Sequence, residues 1–176
     1  MKSPFKTPFK KCIGIDPGKS GGIAVITDET VKVHPCPQTV DDMATLMGIC
    51  LSDVAVYRTR VFLEKVWAFP SDARSSSFTF GQNFGHWQGI LASHEIKPVL
   101  VTPKTWQAHL EVKKGLPKPK RKKLLKQMAI DRCPDIKRIT LKTCDALLIA
   151  IYGVEAYLSP VNAKPWSMPT KAEKVP

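Results

Sequence analysis

Acidic residues are scarce in this sequence. Its 176 residues include 15 aspartates and glutamates against 27 lysines and arginines, which gives a formal charge of +12. Long apolar runs are absent as well, since no stretch approaches the roughly 18 residues of a membrane-spanning helix. The basic start, MKSPFKTPFKK, contains none of the apolar core that a secretory signal requires. We therefore expect no membrane partner and no secretion.

Paired cysteine motifs are missing too. The cysteines number five, an odd count, and no two of them are spaced as CxxC. This pattern argues against a disulfide framework and against a zinc ribbon. We expect reduced thiols and a cytoplasmic protein, in the host cytoplasm if the source is viral. The basic, acid-free start leaves an organellar transit element as the alternative.

The positive charge is concentrated in one segment. Residues 104–142 contain 13 lysines and arginines against three acids, which accounts for +10 of the +12. Such a block favours a phosphate-rich partner, because each neutralised phosphate releases counterions. The competing interpretations are a solvated basic loop and a nuclear-localisation-like patch.

Apolar periodicity predicts one α/β domain, since 43% of the residues are apolar and the length suits a single core. Strands are predicted at 12–16, 22–27, 31–34, 60–66 and 96–101, the first three as an antiparallel meander. Helices are predicted at 40–51, 76–93, 120–130 and 143–158, with a short one starting at Thr102-Pro103 and a linker at 115–119. Three antiparallel strands followed by βα units indicate a mixed sheet with helices on both faces. We expect a flexible basic arm at 1–10, the domain at 11–158 and a proline-rich, disordered tail at 159–176.

Three of the scarce acids interrupt apolar segments. Asp16 ends the strand CIGID, Glu64 lies inside VFLEKV, and Asp145 opens the helix CDALLIA. Singly, each has an ordinary interpretation: a turn residue before Pro-Gly, a polar residue of an edge strand, and a helix N-terminal acid. Together with the basic block, they predict one site that holds one or two Mg²⁺ ions, with Mn²⁺ as a substitute.

Five segments together resemble the RuvC family of Holliday-junction resolvases, with a closer likeness to its phage and organellar branch. They are IGIDPGKSGGIAVI, VFLEKVWAFP, SSFTFGQNFGHWQGIL, VLVTPKTWQAHL and CDALLIAIYG. The resemblance covers residues 11–158. It implies an RNase H-like fold, a homodimer, and Mg²⁺-dependent symmetric nicking of four-way DNA junctions.

The resemblance also implies roles for individual residues. Asp16, Glu64 and Asp145 match the family's metal-binding acids. Lys142 lies where the family often has a further acid or histidine, so it would offset the charge of Asp145 or contact a phosphate. Gln107 follows the tryptophan of TPKTW, where relatives commonly have lysine, and Lys104 is a replacement for that charge.

DNA contacts are expected from an aromatic residue after Glu64 and from the basic block. Trp67 matches an aromatic position that can wedge at the junction centre, with an ordinary core or interface tryptophan as the alternative. Lys118 or Lys120 resembles the lysine near the start of the family's next helix. The full predicted set is Trp67, Lys104, Lys118, Lys120, Arg121 and Lys122.

Three functional hypotheses follow. The leading one is a structure-selective endonuclease that resolves four-way junctions. The second is an RNase H-like nuclease that acts on other branched DNA or on RNA. The third is a non-catalytic junction-binding protein with an altered metal site, which the departures at Lys142 and Gln107 motivate.

Overall fold

A computed structural model describes residues 9–65 and 74–158. In this part of the chain, one mixed sheet has the strand order β3-β2-β1-β4-β5. The strands are β1 (Lys11–Asp16), β2 (Gly22–Thr27), β3 (Val31–Pro35), β4 (Thr59–Glu64) and β5 (Val99–Val101). β1, β2 and β3 pair antiparallel, whereas β4 runs parallel to β1 and β5 runs parallel to β4. The predicted meander and mixed sheet are confirmed.

Helices cover both faces of the sheet, as predicted. They are α1 (Val40–Leu51), α2 (Arg74–Ser93), α3 (Pro103–His109), α4 (Lys118–Arg132) and α5 (Cys144–Leu158), with a 3₁₀ turn at Val56–Arg58. One core cluster joins α1 and α2 to the sheet, and a second joins α3, α4 and α5 to the opposite face. The helix α5 is mostly apolar and buried because it lies between the sheet and its neighbouring helices.

The strand β1 lies at the centre of the sheet and is buried on both faces. Its isoleucines, Ile13 and Ile15, pack in the cluster with α1 and α2, while Cys12 packs in the cluster with α5. This alternation follows from the two-residue period of a strand. It also places Asp16 on the α5 side, since Asp16 is four residues after Cys12.

The amino end of β1 is tied to the end of α1. Lys11 is buried, and its ammonium group donates to the Cys50 carbonyl and to the Asp53 carboxylate. A buried lysine is costly unless its charge is paired. The exposed Asp53 therefore stabilises the fold through Lys11 and has no contact with the sheet edge where β1 ends.

Several predicted boundaries differ from the structure by up to three residues, and two of them have a clear physical reason. β5 begins at Val99 rather than at residue 96, because Ile96 belongs to the turn that closes α2 and its N–H donates to the Leu91 carbonyl. α4 begins at Lys118, inside the predicted linker. Pro119 does not stop a helix there, because a first-turn residue has no intrahelical partner for its N–H.

Some predictions fall outside the described residues. These are most of the basic arm at 1–10, the aromatic Trp67 and the tail at 159–176. All five cysteines are described, and each is free and buried. In residues 9–65 and 74–158, no helix is long and apolar enough to span a membrane.

Candidate active site

Two acids meet at one edge of the sheet. Asp16 is the last residue of β1, and Glu64 is the last residue of β4. Because these strands are parallel and Ile15 pairs with Leu63, the residues that follow both reach the carboxyl edge side by side. The charge of Glu64 acts on the pKa of Asp16 at this edge. Strand register alone therefore places two acids that are 48 positions apart in the chain next to each other.

The third acid is delivered by α5. Asp145 lies in the first turn of this helix, which packs directly on β1. Gly14 makes that packing possible, because a Cβ built there would lie 2.3 Å from the Ala146 carbonyl oxygen and 2.4 Å from the Ala150 nitrogen. The missing side chain lets α5 approach closely enough for Asp145 to act electrostatically on Asp16.

Glu64 and Asp145 each accept hydrogen bonds from a neutral or cationic donor. The Lys122 ammonium lies 2.5 Å from Asp145 Oδ2, and the Cys144 thiol donates to Asp145 Oδ1 at 3.2 Å. The Trp106 indole N–H donates to Glu64 Oε1 at 2.8 Å. Trp106 is fully buried, so it holds Glu64 from within the core.

Burial and neighbouring charges shift the pKa values of the residues in this cluster. Burial, followed by the charges of Glu64 and Asp145, raises the pKa of Asp16 well above its usual range, against the opposing charge of Lys122. Burial is also the main cause that raises the pKa of Glu64, although the hydrogen bond from Trp106 acts the other way. Burial works against the charge of Lys122, but the carboxylate of Asp145 outweighs it and raises the pKa of Lys122. The site therefore attracts cations.

A tight loop after Asp16 is anchored to α2. Gly18 has a positive φ of 113°, and the Phe80 ring occupies the space that a side chain would need. The Gly18 N–H donates to the buried Asn83 side chain at 2.6 Å. The Asn83 amide nitrogen faces the sulfur atoms of Cys36 and Met43, which orients the amide oxygen toward Gly18. Asn83 is therefore the side chain that ties this loop to α2.

A cavity of about 1130 Å³ lies at this edge of the sheet. Asp16, Glu64 and Asp145 all border it. Its basic lining residues are Lys19, Lys65, Lys104, Lys118, Arg121 and Lys122. A small acidic centre inside a wide basic rim suits a polyanionic ligand that needs cations at one point.

The structure brings most of the predicted residues together. The cavity contains Asp16, Glu64, Asp145, Lys104, Lys118, Arg121 and Lys122. Lys120 and Lys142 are exposed and do not line it. Gln107 is half-buried on α3 and does not line it either. Trp67 lies outside the described residues.

Helix geometry explains which basic residues reach the cavity. Each residue of an α-helix is rotated by about 100° from the one before. Lys118, Arg121 and Lys122 are therefore on one face of α4, at the i, i+3 and i+4 positions, and Lys120 points the opposite way. Leu125 continues the inward face and is buried in the core. Lys122 is the lysine of this helix that contacts the acids.

Sequence reasoning missed two residues of the site. Trp106 was noted only as part of TPKTW. The signal that could have identified it is that a buried indole N–H needs a hydrogen-bond acceptor, and this chain has few acids to provide one. Asn83 gave no signal, because a single asparagine in a glycine-spaced helix is unremarkable in sequence. Both act by contacts between elements that are distant in the chain.

Comparison with known proteins gives a fold. The sequence matches no protein-family model and no curated protein. A structure of Thermus thermophilus RuvC in complex with a Holliday junction substrate matches with a TM-score of 0.58 at 16% identity. The match covers 83% of this chain and 94% of that one. A second Thermus thermophilus RuvC structure matches with a TM-score of 0.53 at 15% identity, over 83% and 95% of the two chains.

The chain has the RuvC-like fold. This is an RNase H-like α/β fold, as the resemblance implied. The three predicted acids therefore lie at the carboxyl edge of a RuvC-like sheet and at the start of its last helix.

Proposed function

We propose that this protein is a metal-dependent, structure-selective endonuclease that nicks four-way DNA junctions symmetrically. The observation that carries the proposal is the convergence of Asp16, Glu64 and Asp145 in one cavity with a basic rim. The RuvC-like fold supports it, since one of the matching structures holds a Holliday junction substrate. The motifs around these acids favour the phage and organellar branch of the family.

The donor set fits Mg²⁺, with Mn²⁺ as a substitute. Carboxylate oxygens are the ligands that these hard cations prefer, and Asp16, Glu64 and Asp145 all border the cavity. In residues 9–65 and 74–158, no three His, Cys, Asp or Glu side chains are placed to hold one ion together. Asp16, Glu64 and Asp145 would still be the residues that hold metal, because Mg²⁺ needs only one or two carboxylates when water and phosphate oxygens supply its other ligands. When bound, the metal would activate water and stabilise the leaving oxygen.

The chain's own residues perform the remaining tasks. Trp106 fixes the orientation of Glu64, and Asn83 fixes the loop that follows Asp16. Lys118, Arg121 and Lys122 would hold the phosphate backbone over the acids. Preorganised positive charge at that point also stabilises the charge that develops on the scissile phosphate.

The decisive experiment uses a labelled four-way junction with Mg²⁺, Mn²⁺ or EDTA. We expect paired nicks at symmetric positions with either metal and none with EDTA. Y-shaped DNA, flaps, linear duplex and RNA–DNA hybrid serve as comparison substrates. Preferential cutting of one of those would favour the wider RNase H-like activity, and tight junction binding without any cleavage would favour the non-catalytic alternative.

The basic rim predicts a change in salt dependence. Replacing Lys118 and Arg121 by alanine should weaken junction binding and reduce the slope of log K against log salt by about 2, at roughly 0.9 per phosphate contact. Binding titrations over roughly 50 to 200 mM salt measure this slope. Lys32→Ala is the control, because Lys32 is exposed on β3 at the opposite edge of the sheet. Equal slopes for wild type, the double variant and Lys32→Ala would show that α4 does not form the DNA-binding surface.

We also propose that the protein acts as a homodimer through α2. Gly81, Gly85 and Gly89 follow one face of this helix, and a Cβ at any of them would meet open space. Phe78 extends the same face and is 68% exposed. Small residues at this spacing let a second helix approach closely, and a twofold enzyme suits two symmetric cuts.

Blocking that face should separate the protomers. We expect Gly85→Arg to be monomeric by light scattering and wild type to be dimeric. Thr45→Arg places the same side chain on the exposed face of α1 and should remain dimeric. A monomeric wild type, or a dimeric Gly85→Arg, would contradict the assignment of the interface.

The anchor of the loop yields a further prediction. Asn83→Leu keeps the side-chain size but removes the acceptor for the Gly18 N–H, so the loop after Asp16 loses its tie to α2. Metal affinity, measured by calorimetry with Mn²⁺, should fall about 10- to 100-fold, as for other residues that orient metal ligands. Junction affinity in EDTA should be unchanged.

The control is Met47→Leu, which alters the same packing cluster but leaves Asn83 and its hydrogen bond to the Gly18 N–H intact. Its metal affinity should equal that of wild type. If both variants lose affinity alike, Asn83 contributes packing only.

A further inference from the structure

The three helices on one face of the sheet all begin at the cavity. Asp145 lies in the first turn of α5, and Lys104 lies in the first turn of α3. The first residues of α4 include Lys118 and Arg121, which line the same cavity. Two basic walls therefore border the cavity, one formed by Lys104 and the other by Lys118 and Arg121. The helices that carry them both pack on α5.

The far ends of these helices meet at one carboxylate. Glu155 of α5 is ten residues after Asp145, which places it about 15 Å farther along the helix. Glu155 Oε1 accepts from the Arg132 guanidinium at 2.7 Å, and Glu155 Oε2 lies 3.2 Å from His109 Nε2. Arg132 is the last residue of α4, and His109 is the last residue of α3. Glu155 therefore joins α3 to α4 at the ends remote from the cavity.

This tie is a network of charges rather than an isolated ion pair. The side chains of His109, Arg132 and Glu155 are 33–36% exposed. An isolated pair at such a position contributes little, whereas several charges in one network contribute more. The His109 ring also packs edge-on against Tyr152 at 5.1 Å, and Tyr152 packs edge-on against Phe62 of β4 at 6.1 Å. The imidazole is thus held in place beside the carboxylate.

We propose that Glu155 is a positioning residue that sets the spacing between the two basic walls by joining the last residues of α3 and α4. The inference rests on the proposed junction binding, because the walls are the surfaces that would hold the phosphate backbone. The helices are about 10 and 22 Å long, at 1.5 Å per residue. Each is short enough to move as a rigid rod, so a carboxyl end that is released displaces the basic residues at the amino end.

Glu155→Gln tests this role through binding of a four-way junction in EDTA. The substitution keeps the shape of the side chain but removes the charge that holds Arg132 and His109. Junction affinity at about pH 6 should fall about 3- to 10-fold. Loss of a negative charge would by itself tighten the binding of a polyanion, so the expected change is opposite in sign to a net-charge effect.

Glu111→Gln is the matched control for net charge. Glu111 is exposed directly after α3 and is the same residue type, so its substitution changes the charge of the protein equally. This variant should bind the junction as tightly as wild type or more tightly. Weaker binding by both variants alike would show that Glu155 has no special role.

The pH dependence of binding distinguishes positioning from a general loss of structure. Histidine normally changes its charge between about pH 5 and 8. Glu155 and Tyr152 face His109 from α5, and Arg132 faces Glu155 from α4. A protonated imidazole makes the stronger bond to a carboxylate, so the difference between wild type and Glu155→Gln should shrink as the pH rises from about 6 to about 8. A general loss of structure would persist at both pH values.

His109→Gln provides a second test of the same tie. It should behave like Glu155→Gln, and the double variant should bind no more weakly than either single variant, because both remove one interaction. His94→Gln is the control, since His94 follows α2 on the other face of the sheet, and it should keep the wild-type pH dependence. Additive losses in the double variant would show that the two side chains act separately.

Spin-label distances measure the spacing of the helices without DNA. Ala108→Cys on α3 and Lys123→Cys on α4 place labels at exposed positions, and the five natural cysteines are buried. We expect a broader distribution of label distances in Glu155→Gln than in the otherwise wild-type protein, and an unchanged distribution in Glu111→Gln.

The outcomes separate this inference from the proposed function. Unchanged junction affinity or unchanged label distances in Glu155→Gln, with junction cleavage by wild type intact, would overturn the positioning role and leave the nuclease function standing. Altered label distances in a protein that binds no junction would overturn the proposed function, while Glu155 would still set the spacing of the two helices.

Discussion

Asp16→Asn is expected to abolish cleavage and, at the same time, to make the folded protein more stable. The substitution removes one of the three proposed metal ligands, so metal-dependent nicking should fall by at least about 10³-fold. Junction binding in EDTA should be retained, because the basic rim is unchanged. Single-turnover cleavage and binding titrations on the same four-way junction measure the two effects.

The gain in stability follows from the direction of the pKa shift. Because the pKa of Asp16 is raised in the folded state, the folded protein binds that proton more tightly than the unfolded chain does. Stability therefore falls as the pH rises from about 3.9, the ordinary aspartate value, through the raised pKa. At pH 7 the asparagine variant should have a higher free energy of unfolding than wild type, and the difference should shrink toward pH 4.

Asp53→Asn provides a control with the opposite sign. The hydrogen bond from Lys11 lowers the pKa of the exposed Asp53, so its contribution to stability is present above the ordinary aspartate pKa and is lost as the pH falls through the lowered value. This variant should be less stable than wild type at pH 7 and should cleave normally. Urea unfolding at both pH values decides the matter. Destabilisation by Asp16→Asn at pH 7, or normal cleavage by it, would refute the assignment of the site.

Gly14→Ala is expected to damage the fold and the site together. The added methyl group would overlap the backbone of α5 at Ala146 and Ala150, neither of which can rotate away. Overpacking of this kind costs about 1–3 kcal/mol or more. Since α5 carries Asp145 in its first turn, a displacement of about 1 Å should also reduce cleavage by roughly 100-fold. Urea unfolding, and cleavage assayed well below the melting temperature, measure the two losses.

Gly48→Ala is the matched control for that substitution. Gly48 lies in α1, and a Cβ there would meet nothing within 4 Å. Alanine should therefore raise the free energy of unfolding by about 0.5–1 kcal/mol through helix propensity, with cleavage unchanged. If Gly14→Ala were as stable as wild type, the close approach of α5 to β1 would not be what positions Asp145.

Local patterns in the sequence are sufficient for most of the elements. The alternation along GIAVIT, the turn Asp28-Glu29, and the threonine that caps α3 each act within a few residues, and the structure shows each where it is expected. α1 is found at the predicted residues 40–51. The predictions that failed were at boundaries, such as the start of α4, where a proline is acceptable in a first turn.

The acids of the site could also be predicted from the sequence. An acid inside an apolar segment is costly, so Asp16, Glu64 and Asp145 could be selected as a set beside the basic block, although each alone has an ordinary interpretation. The sequence does not show which basic side chains lie beside these acids. Lys118, Lys120 and Lys122 look equivalent in a run of basic residues, and only the rotation of α4 against α5 decides that Lys122 reaches Asp145.

The α/β class, the order of the elements, the three acids and the basic segment could therefore be predicted, because each of these depends on residue type and local spacing. The placement of Asp16 beside Glu64, the position of Lys122, and the contacts of Trp106 and Asn83 could not. Those depend on strand register and on the distance and rotation between packed helices. Such quantities are set by the whole core at once, so no short segment encodes them.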